Sequence, residues 1–419
     1  MTLPRIAYIL LWFPKPSETF IFREVMDLWQ MEAPVTVYTL YGELRKKLSW
    51  EMASVSHKVE RLGVPFLRRL PKDVNYWWVR DRRTTLELFR TIPVRRWRSV
   101  EVGGENIWAF LCGFTLARLF QRDAIDHIHA PWANGPATAA LVASKLTGIP
   151  YSFTGRAVDI YPPDGALEEK IRDAAFVTTE TMINVPYLQQ HADSHSEKIR
   201  GIYNGVPLER FSEAAVPMKR PYRILALGRF DRIKAFHVLI RACGILKKRD
   251  VDFRLTLAGS GWRKLYYKYL GWRCGISDRV SYPGYVSYDG VTELFSSSDV
   301  FVMASAVHRT GERDGLPTVI MEAFMHRLPV VATDVCGIPE VVHDGVTGCL
   351  VRQNDPDALA DGIARMLSNR EAALRMAERG RELVMEQFDP ERNHRKILDL
   401  FVDAAAGRSN KGPVEGSGR

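Results

Sequence analysis

Short apolar runs alternate with amphipathic segments along most of the chain. In the first half the predicted strands are RIAYILLWF, APVTVYTL, IDHIHA and IPYSFTG, and the predicted helices are ETFIFREVMDLWQME and GPATAALVASKLTG. Strand-like AAFVTTE and IRGIYNGV follow, and we interpret the polar stretch FSEAAVPMKRPY behind them as a linker. Strand, helix and strand in this order predict a parallel sheet covered on both faces.

The second half repeats the pattern, with predicted strands at YRILALGRF, FRLTLAGSG, VSYPGYV, VFVMAS and VVATDV. We therefore predict an α/β fold of two doubly wound, Rossmann-like domains that face a central cleft, because open α/β sheets bind ligands beyond the carboxyl ends of their strands. The predicted parts are an N-terminal domain at 1–213, a second domain at 220–387, a helix at about 388–405 that packs back on the first domain, and a disordered tail at 406–419.

Composition favours a globular protein of more than one domain, since the chain has 419 residues, 46% of them apolar and 26% charged. The longest apolar run, IWAFLCGFTLARLF, is shorter than the ~20 residues of a membrane span and predicts a buried or interfacial helix. MTLPRIAYILLWFPKP lacks a small-residue cleavage site and is better interpreted as a strand than as a signal peptide. Five scattered cysteines without CxxC indicate a reducing cytoplasm.

The net charge of +9 is concentrated in residues 61–98, where Arg and Lys outnumber the acids and three Trp are interleaved. Such a stretch suits anionic lipid headgroups, with aromatic rings at the interface and guanidinium groups on phosphates. A solvated helical face has the same composition, and aromatic residues with Arg also suit single-stranded nucleic acid, which we consider the least favoured of the three. We expect a cytoplasmic protein peripheral to the inner face of the plasma membrane.

Two carboxylates lie eight positions apart in GERDGLPTVIMEAF, residues 311–324. Gly315 permits a turn and Pro317 suits the first position of a helix, so we expect Asp314 in the loop and Glu322 on the helix. A helix N-terminus favours an anion such as phosphate, and carboxylates beside it can take hydroxyls. This combination predicts a sugar-nucleotide site, whereas the simpler alternative is a capping acid and a solvated Glu.

A second motif, GRFDRIKAFHVLIRA from Gly228, places Arg229 and Lys234 in a loop after a predicted strand. Arg suits bidentate phosphate contact, while Lys acts as a point charge. Together they could neutralise a diphosphate leaving group as its charge grows, which is transition-state stabilisation. The alternative is two surface cations near a helix start.

The chain resembles glycosyltransferase family 4, whose members are retaining enzymes of the two-domain GT-B fold. The donor-domain resemblance lies in LGRFDRIKAFHVLIRA, GLPTVIMEAFMHRLPVVATDVCGIPEVVHDGVTGCLV and YNGVPLERF. SETFIFRE, HIHAPWA and YSFTGRAVDIY are similar to bacterial members that build exopolysaccharides such as colanic acid or amylovoran. The resemblance covers about Arg5 to Val402.

The resemblance implies a role for each matching residue. Arg229 and Lys234 would contact the donor diphosphate, Glu322 the ribose hydroxyls, and Asp314 the donor sugar. The remaining donor-site residues would be Gly315, Leu316, Pro317, Thr318 and Gly259, with Tyr285 and Val286 near the base. In the N-terminal domain, the matching loop residues are Ser17, Glu18 and Asp159.

Two positions depart from the family pattern. Asp314 is one methylene shorter than the usual Glu, which would reshape the sugar contact while keeping its charge. Arg156 stands where the family usually has His near the reacting sugar. Arg156 could donate hydrogen bonds to sugar or phosphate as a catalytic residue, or it could mark altered activity, and both alternatives stay open.

The implied reaction moves a sugar with retention, from a UDP- or GDP-sugar to a lipid-linked saccharide, with no cofactor and no metal ion. The DxD at Asp250 and Asp252 precedes a strand rather than following one. His127 and His129 would share one face of a strand, where we expect packed or hydrogen-bonded side chains rather than a metal site. Asp314 is not expected to act as a nucleophile.

The sequence has features of other classes of protein as well. AGSGWRK resembles a dinucleotide turn, but Lys264 occupies the third Gly position of GxGxxG, so an oxidoreductase is poorly supported. A phosphorylase or glycogen-synthase-like enzyme shares the fold. The main alternative is a catalytically impaired GT-B-like protein that binds a glycan or nucleotide, for which sugar transfer would be absent while nucleotide binding stays intact.

Overall fold

The chain forms two compact units in the computed structural model. Unit 1 comprises Met1–Gly205 with Pro390–Arg419, and unit 2 comprises Val206–Asp389. The structure describes residues 3–44, 48–93, 97, 99–161, 166–206, 208, 218, 220–286 and 288–409. Most of the predicted linker, together with residues 410–419 of the predicted tail, lies outside these residues.

Unit 1 is built on a parallel sheet covered by helices. Its strands are β1 (Ile6–Leu10), β2 (Val35–Thr39), β3 (Val59–Arg61), β4 (His127–Ala130), β5 (Tyr151–Gly155), β6 (Phe176–Thr179) and β7 (Ile199–Gly201). They are ordered β3-β2-β1-β4-β5-β6-β7, and every pairing is parallel. The helices are α1 (Thr19–Gln30), α2 (Trp50–Val55), α3 (Leu70–Arg80), α4 (Arg82–Thr91), α5 (Val100–Arg122), α6 (Gly135–Thr147), α7 (Ala157–Ile160), α8 (Leu167–Asp173) and α9 (Asn184–Gln190).

Unit 2 has the same construction. Its strands are β8 (Tyr222–Leu227), β9 (Phe253–Ala258), β10 (Val280–Gly284), β11 (Val300–Met303), β12 (Val330–Thr333) and β13 (Cys349–Val351), in the parallel order β10-β9-β8-β11-β12-β13. The helices are α10 (Phe236–Lys248), α11 (Lys264–Arg273), α12 (Tyr288–Ser296), α13 (Thr318–Met325), α14 (Pro356–Ser368) and α15 (Arg370–Gln387). The prediction of two doubly wound units is thereby confirmed. The structure also contains two edge strands, β3 and β13, that were not predicted from the sequence.

The last described helix, α16 (Pro390–Ser409), lies on unit 1. Phe401 packs there against Tyr8 and Phe176, with ring centroids 6.0 and 5.8 Å away. His394 Nδ1 lies 2.6 Å from the Asp27 carboxylate of α1. The helix continues to Ser409, so residues 406–409, predicted to be disordered, are helical.

Long apolar α5 forms the centre of the unit 1 core, as the run IWAFLCGFTLARLF predicts. Of the three Trp in the basic stretch, Trp77 is fully buried and donates its indole N–H to the Phe114 carbonyl at 3.0 Å. The expectation that all three rings serve an interface is therefore wrong for Trp77, because α3 turns this ring onto α5. None of the helices in the described part of the chain is long and apolar enough to cross a bilayer.

The packing of α5 against α6 predicts opposite effects for two glycines of one helix. A Cβ at Gly113 would lie 2.6 Å from Val142 Cβ, whereas a Cβ at Gly104 meets nothing within 4 Å. We expect Gly104→Ala to stabilise unit 1 by about 0.5–1 kcal/mol, the helix propensity difference, and Gly113→Ala to destabilise it by about 1–3 kcal/mol through overpacking. Denaturant midpoints measure both, and Val142→Ala should partly rescue Gly113→Ala. Equal effects at the two glycines would contradict the packing.

Candidate active site

The strand order of unit 2 reverses at β8, with β9 and β10 on one side and β11 to β13 on the other. Ligands of open α/β sheets bind beyond the carboxyl ends of the strands at such a point. The loop after β8 carries Arg229 and Lys234, and the loop after β11 carries Asp314. The topology therefore brings the two sequence motifs to adjacent loops.

Lys234 and Asp314 are in direct contact. Lys234 Nζ lies 3.0 Å from Asp314 Oδ2, and the two side chains are only 10% and 12% exposed. Ser305 Oγ donates to the same Oδ2 at 2.8 Å. Both contacts use the same carboxylate oxygen, Oδ2. Among the described residues, the other oxygen, Oδ1, therefore remains available to accept a hydrogen bond.

The two loops are also joined through their backbones. The Ala306 N–H donates to the Ile233 carbonyl at 2.8 Å, one residue from Lys234. Asp231 accepts the Lys234 backbone N–H at 3.0 Å, and burial with the nearby Asp314 charge raises the pKa of Asp231. These contacts fix the loop geometry that holds the ion pair.

Only glycine fits at position 259, because two loops approach each other closely there. Gly259 has φ 137°, and a Cβ there would lie 1.9 Å from the Gly228 carbonyl oxygen. The Gly259 N–H donates to the Gly284 carbonyl at 2.7 Å, which links the loops after β8, β9 and β10. Backbone therefore forms this part of the strand edge.

Glu322 lies on α13, as predicted, and it is buried, with 8% of its surface exposed. The helix begins at Thr318, so Pro317 is the residue that caps it and not its first position. Its φ of −64° is the value its ring imposes, and its extended ψ of 113° turns the chain into the helix. The Gly315 carbonyl accepts the Gly337 N–H at 3.1 Å, and Leu316 is buried.

The other predicted donor residues are open to solvent. The Arg229 side chain is 65% exposed, and its nearest ionic partner is Asp231 at 3.5 Å. Tyr285 is 69% exposed in the turn after β10, where Val286 is half-buried. The structure does not place Arg229 against the Lys234–Asp314 pair, and its contact with a diphosphate stays a prediction.

In unit 1 the corresponding edge holds Arg156, which follows β5 and is only 2% exposed. Its guanidinium forms an ion pair with Glu180, and Nη1 also donates to Asn204 Oδ1 at 3.1 Å. Its Cζ atom lies 4.4 Å from the Phe20 ring centroid and 5.5 Å from that of Trp132. Arg156 is thus a buried, paired cation rather than a surface one.

Arg156 retains one guanidinium nitrogen whose N–H donors are unpaired among the described residues. Its Nε donates to the Pro131 carbonyl at 3.2 Å, whereas Nη2 is buried and has no hydrogen-bond partner among the described residues. A buried guanidinium N–H without an acceptor is costly, so an incoming acceptor would be favoured at this position.

Asp159 joins two loops of the same edge. Its carboxylate accepts the Arg156 N–H and the Ala133 N–H, both at 2.6 Å, and burial raises its pKa to about 7. Glu18 precedes α1 and pairs with Lys15 Nζ at 2.5 Å, and Ser17 is exposed in the turn before it. Their predicted roles toward an acceptor remain predictions.

The two strand histidines are packed and hydrogen-bonded, as expected. His127 Nε2 lies 2.7 Å and His129 Nδ1 2.9 Å from Ser152 Oγ. Burial lowers the pKa of His127 to about 3 and also lowers that of His129. Across the described residues, no three His, Cys, Asp or Glu side chains are grouped as a metal site, including those around the DxD at Asp250 and Asp252.

Ser305, Glu180 and Asn204 belong to these sites but were not predicted from the sequence. Strand register supplies the signal that could have found Glu180: Gly155 of β5 pairs with Thr179 of β6, so the next residues, Arg156 and Glu180, emerge side by side. Thr179 in turn pairs with Gly201 of β7, close before Asn204. Ser305 likewise follows β11 directly beside β8.

Comparison with known proteins finds a family match in unit 2. Residues 209–383 match the family model described as glycosyl transferases group 1. This segment lies within unit 2 and contains every residue predicted for the donor site. Unit 2 therefore carries a group 1 glycosyltransferase domain, and the resemblance to glycosyltransferases is confirmed.

Individual relatives of the chain are also named as glycosyltransferases. The chain is 26% identical over 421 residues to a Salmonella typhimurium protein that carries the name colanic acid biosynthesis glycosyltransferase WcaL, covering 95% of this chain and 99% of that one. It is 27% identical over 242 residues to the amylovoran biosynthesis glycosyltransferase AmsK of Erwinia amylovora, covering 56% of this chain and 60% of that one.

Solved structures show the fold. Sucrose-phosphate synthase of Thermosynechococcus elongatus aligns with a TM-score of 0.72 at 17% identity, covering 96% of this chain and 99% of that one. Anabaena HepE in complex with UDP-glucose aligns with a TM-score of 0.66 at 15% identity, covering 95% and 99%. The GT-B fold predicted from the sequence is confirmed.

The buried arginine predicts a large stability effect. Glu180→Gln should destabilise unit 1 by about 3–5 kcal/mol, because Arg156 would be left as an uncompensated buried charge. Glu168→Gln in the same unit removes a carboxylate that is 74% exposed and should change stability by less than about 0.5 kcal/mol. Denaturant unfolding measures both. The double variant Arg156→Leu/Glu180→Leu should be more stable than Glu180→Gln, and the opposite order would contradict the ion pair.

The buried histidines predict a pH dependence. Because the pKa of His127 falls from 6.5 to about 3 on folding, its contribution to stability is present above pH 6.5 and is lost as the pH falls below it. The slope should approach about 1.4 kcal/mol per pH unit. His127→Gln should flatten the stability–pH curve between pH 6.5 and about 4. Parallel curves for wild type and His127→Gln would refute this assignment.

Proposed function

We propose that this protein is a retaining glycosyltransferase that moves a sugar from a UDP- or GDP-sugar to a lipid-linked saccharide during exopolysaccharide assembly. The observation that carries the proposal is the buried pair of Lys234 and Asp314 beside the strand-order reversal of unit 2, inside the matched group 1 domain. The names of the two relatives support exopolysaccharide assembly, and the UDP-glucose complex of HepE supports a nucleotide-sugar donor.

Lys234 suits the donor diphosphate. An ammonium group has three donors, of which the Asp314 carboxylate takes one. The remaining donors, with the exposed guanidinium of Arg229, would meet the negative charge that develops on the diphosphate as its bond to the sugar breaks. Because the Lys234 side chain is only 10% exposed, its charge is weakly screened by solvent.

Asp314 would orient the sugar. Lys234 and Ser305 both bind Oδ2, so Oδ1 would accept a hydrogen bond from a donor-sugar hydroxyl. The bound Lys234 ammonium lowers the nucleophilicity of the carboxylate, in agreement with an orienting role rather than a covalent one. Glu322, buried one helix turn inside α13, would hold the ribose hydroxyls.

Arg156 would contribute from unit 1. Its ion pair with Glu180 and its contacts with two aromatic rings hold the guanidinium in place, so the unpaired Nη2 would be presented to a sugar or phosphate oxygen without loss of side-chain entropy. Retention of the anomeric configuration and independence of metal ions belong to this proposal and are tested below.

The basic stretch 61–98 supports attachment to an anionic membrane surface, where a lipid-linked acceptor would be found. A cavity of about 380 Å³ lies on α3 and α5 and is lined by Lys72, Asn75, Tyr76, Val79, Arg80 and Arg118. Val79 is 78% exposed at this cavity. Cations beside an exposed apolar side chain suit phosphate headgroups. The protein would then be peripheral to the inner face of the plasma membrane.

Calorimetric titration in EDTA tests the donor site. We expect one nucleotide, UDP or GDP, to bind wild-type protein, and Glu322→Ala to weaken that binding about tenfold or more, since hydrogen bonds to a charged group contribute about 1.5–3 kcal/mol. Glu371→Ala, which removes an 86% exposed carboxylate in the same unit, is the matched control and should bind as wild type. If neither nucleotide binds, or if Glu322→Ala binds normally, the donor-site assignment is wrong.

Transfer is tested with the sugar conjugates of the nucleotide that binds, using membrane lipid extracts as acceptor and EDTA throughout. We expect a product whose anomeric configuration, read by NMR, equals that of the donor. An inverted product would refute retention, and a need for added metal would refute metal independence. Nucleotide binding without any transfer would instead favour the catalytically impaired, binding-only function.

A further inference from the structure

Helix α11 of unit 2 is apolar on two faces. Its inner face carries Tyr267 and Leu270, which are buried in the unit 2 core. On its outer face Leu265, Tyr269 and Trp272 are 78%, 55% and 67% exposed. At about 100° per residue these three side chains fall within an arc of about 60°. An apolar helix face is normally buried, and this outer face is covered by none of the described residues.

Trp262 extends the same apolar stripe beyond the start of the helix. It is 67% exposed and lies in the turn three residues before Leu265. The guanidinium groups of Arg232 and Arg263 lie 5.4 and 5.1 Å from its ring centroid. We call Trp262, Leu265, Tyr269 and Trp272 the α11 stripe.

Positive charge borders the α11 stripe on both sides. On the helix, Lys264 and Lys268 lie at about 40–80° from one edge of the stripe, and Arg273 lies at about 40° from the other. From Trp262 to Ile276 the sequence contains no Asp or Glu. The surface therefore combines exposed aromatic rings with cations and lacks acidic side chains on its own helix.

We propose that the α11 stripe is a membrane-docking surface that seats unit 2 on a bilayer containing anionic phospholipids. Trp and Tyr rings partition to the headgroup level of a bilayer, and Lys and Arg beside them are attracted to anionic lipid phosphates. This surface is separate from the basic stretch 61–98, which belongs to unit 1.

The positive charge around the α11 stripe favours a membrane as its partner over a second copy of this chain. A two-fold dimer across the stripe would be isologous, so the cations of each copy would face the same cations of the other. An anionic surface meets the same cations with opposite charge. The aromatic rings, which are amphipathic, suit the wet headgroup region better than a dry protein interface without acidic partners.

Docking at this surface would act close to the donor site. From the inner face of α11, Tyr267 donates its hydroxyl hydrogen to the Asp231 carbonyl at 2.8 Å, and Asp231 holds the Lys234 loop through the Lys234 N–H. One short helix thus contacts the Lys234 loop with its inner face and presents the α11 stripe on its outer face.

Vesicle sedimentation tests the proposal, with full-length protein and no nucleotide. We expect wild type to bind vesicles of phosphatidylcholine mixed with phosphatidylglycerol much more tightly than phosphatidylcholine alone, with affinity that falls as salt rises. Trp262→Ser/Tyr269→Ser/Trp272→Ser should lose on the order of tenfold or more, because binding scales with buried apolar area. Lys264→Glu/Lys268→Glu should lose about fivefold per lysine on mixed vesicles.

The matched control is Trp50→Ser/Val100→Ser, which removes two side chains of unit 1 that are 83% and 95% exposed. It should bind vesicles as wild type. In wild type, brominated lipids should quench tryptophan emission, and Trp262→Phe/Trp272→Phe should reduce that quenching while keeping the affinity within about threefold.

Two outcomes would overturn the proposal. Undiminished vesicle binding by the triple variant would place the membrane contact elsewhere. A wild-type dimer in sedimentation velocity that the triple variant converts to monomer would assign the stripe to a second copy. No nucleotide is present, so either result leaves the donor-site proposal to its own test.

Discussion

Parallel pairing of every strand is the constraint on which both units depend. A chain that pairs its strands in parallel must return through a crossover after each one, so all loops at the carboxyl edge meet along a single line. In unit 2 this places the loops after β8 and β11 side by side, and the buried Lys234–Asp314 contact closes between them. In unit 1 the same constraint brings Arg156 and Glu180 together from β5 and β6. The chemistry of each unit is thus a consequence of strand direction and order.

Strand and helix pattern, and the chemistry-bearing loops, could be predicted from the sequence because each depends on short segments. The positions of Asp314, Glu322, Arg229 and Lys234 follow from turn residues, helix-formers and local strand signals. Short edge strands such as β3 and β13, with three residues each, carry too little pattern to be recognised alone. The prediction that the disordered tail begins at residue 406 was wrong, because the small-residue run AAAG continues helix α16 as far as Ser409.

What could not be predicted depends on register and on tertiary burial. Trp77 belongs to a stretch whose composition suits a membrane surface. Its position on α3 nevertheless directs the ring onto α5, where it is buried. The partner of Arg156 is fixed by the pairing of Gly155 with Thr179, which no local pattern encodes. Likewise Asp314 is one methylene short of the family's usual acid, and only the position of Lys234 shows that its charge is held by a partner.

Gly205 and Pro390 are in contact within unit 1, since a Cβ on Gly205 would lie 2.3 Å from Pro390 Cα. Between them the chain makes the whole of unit 2 and returns, with the Val206 N–H bonded to the Phe388 carbonyl at 3.0 Å. In terms of chain connectivity, unit 2 is an insertion into unit 1, and the chain leaves unit 1 and returns to it at neighbouring residues. Such an arrangement allows a module to be exchanged as one continuous segment, because a replacement has only to match two neighbouring ends. A lineage of these proteins could therefore acquire a new unit 2 in a single recombination event while α16 continues to complete unit 1.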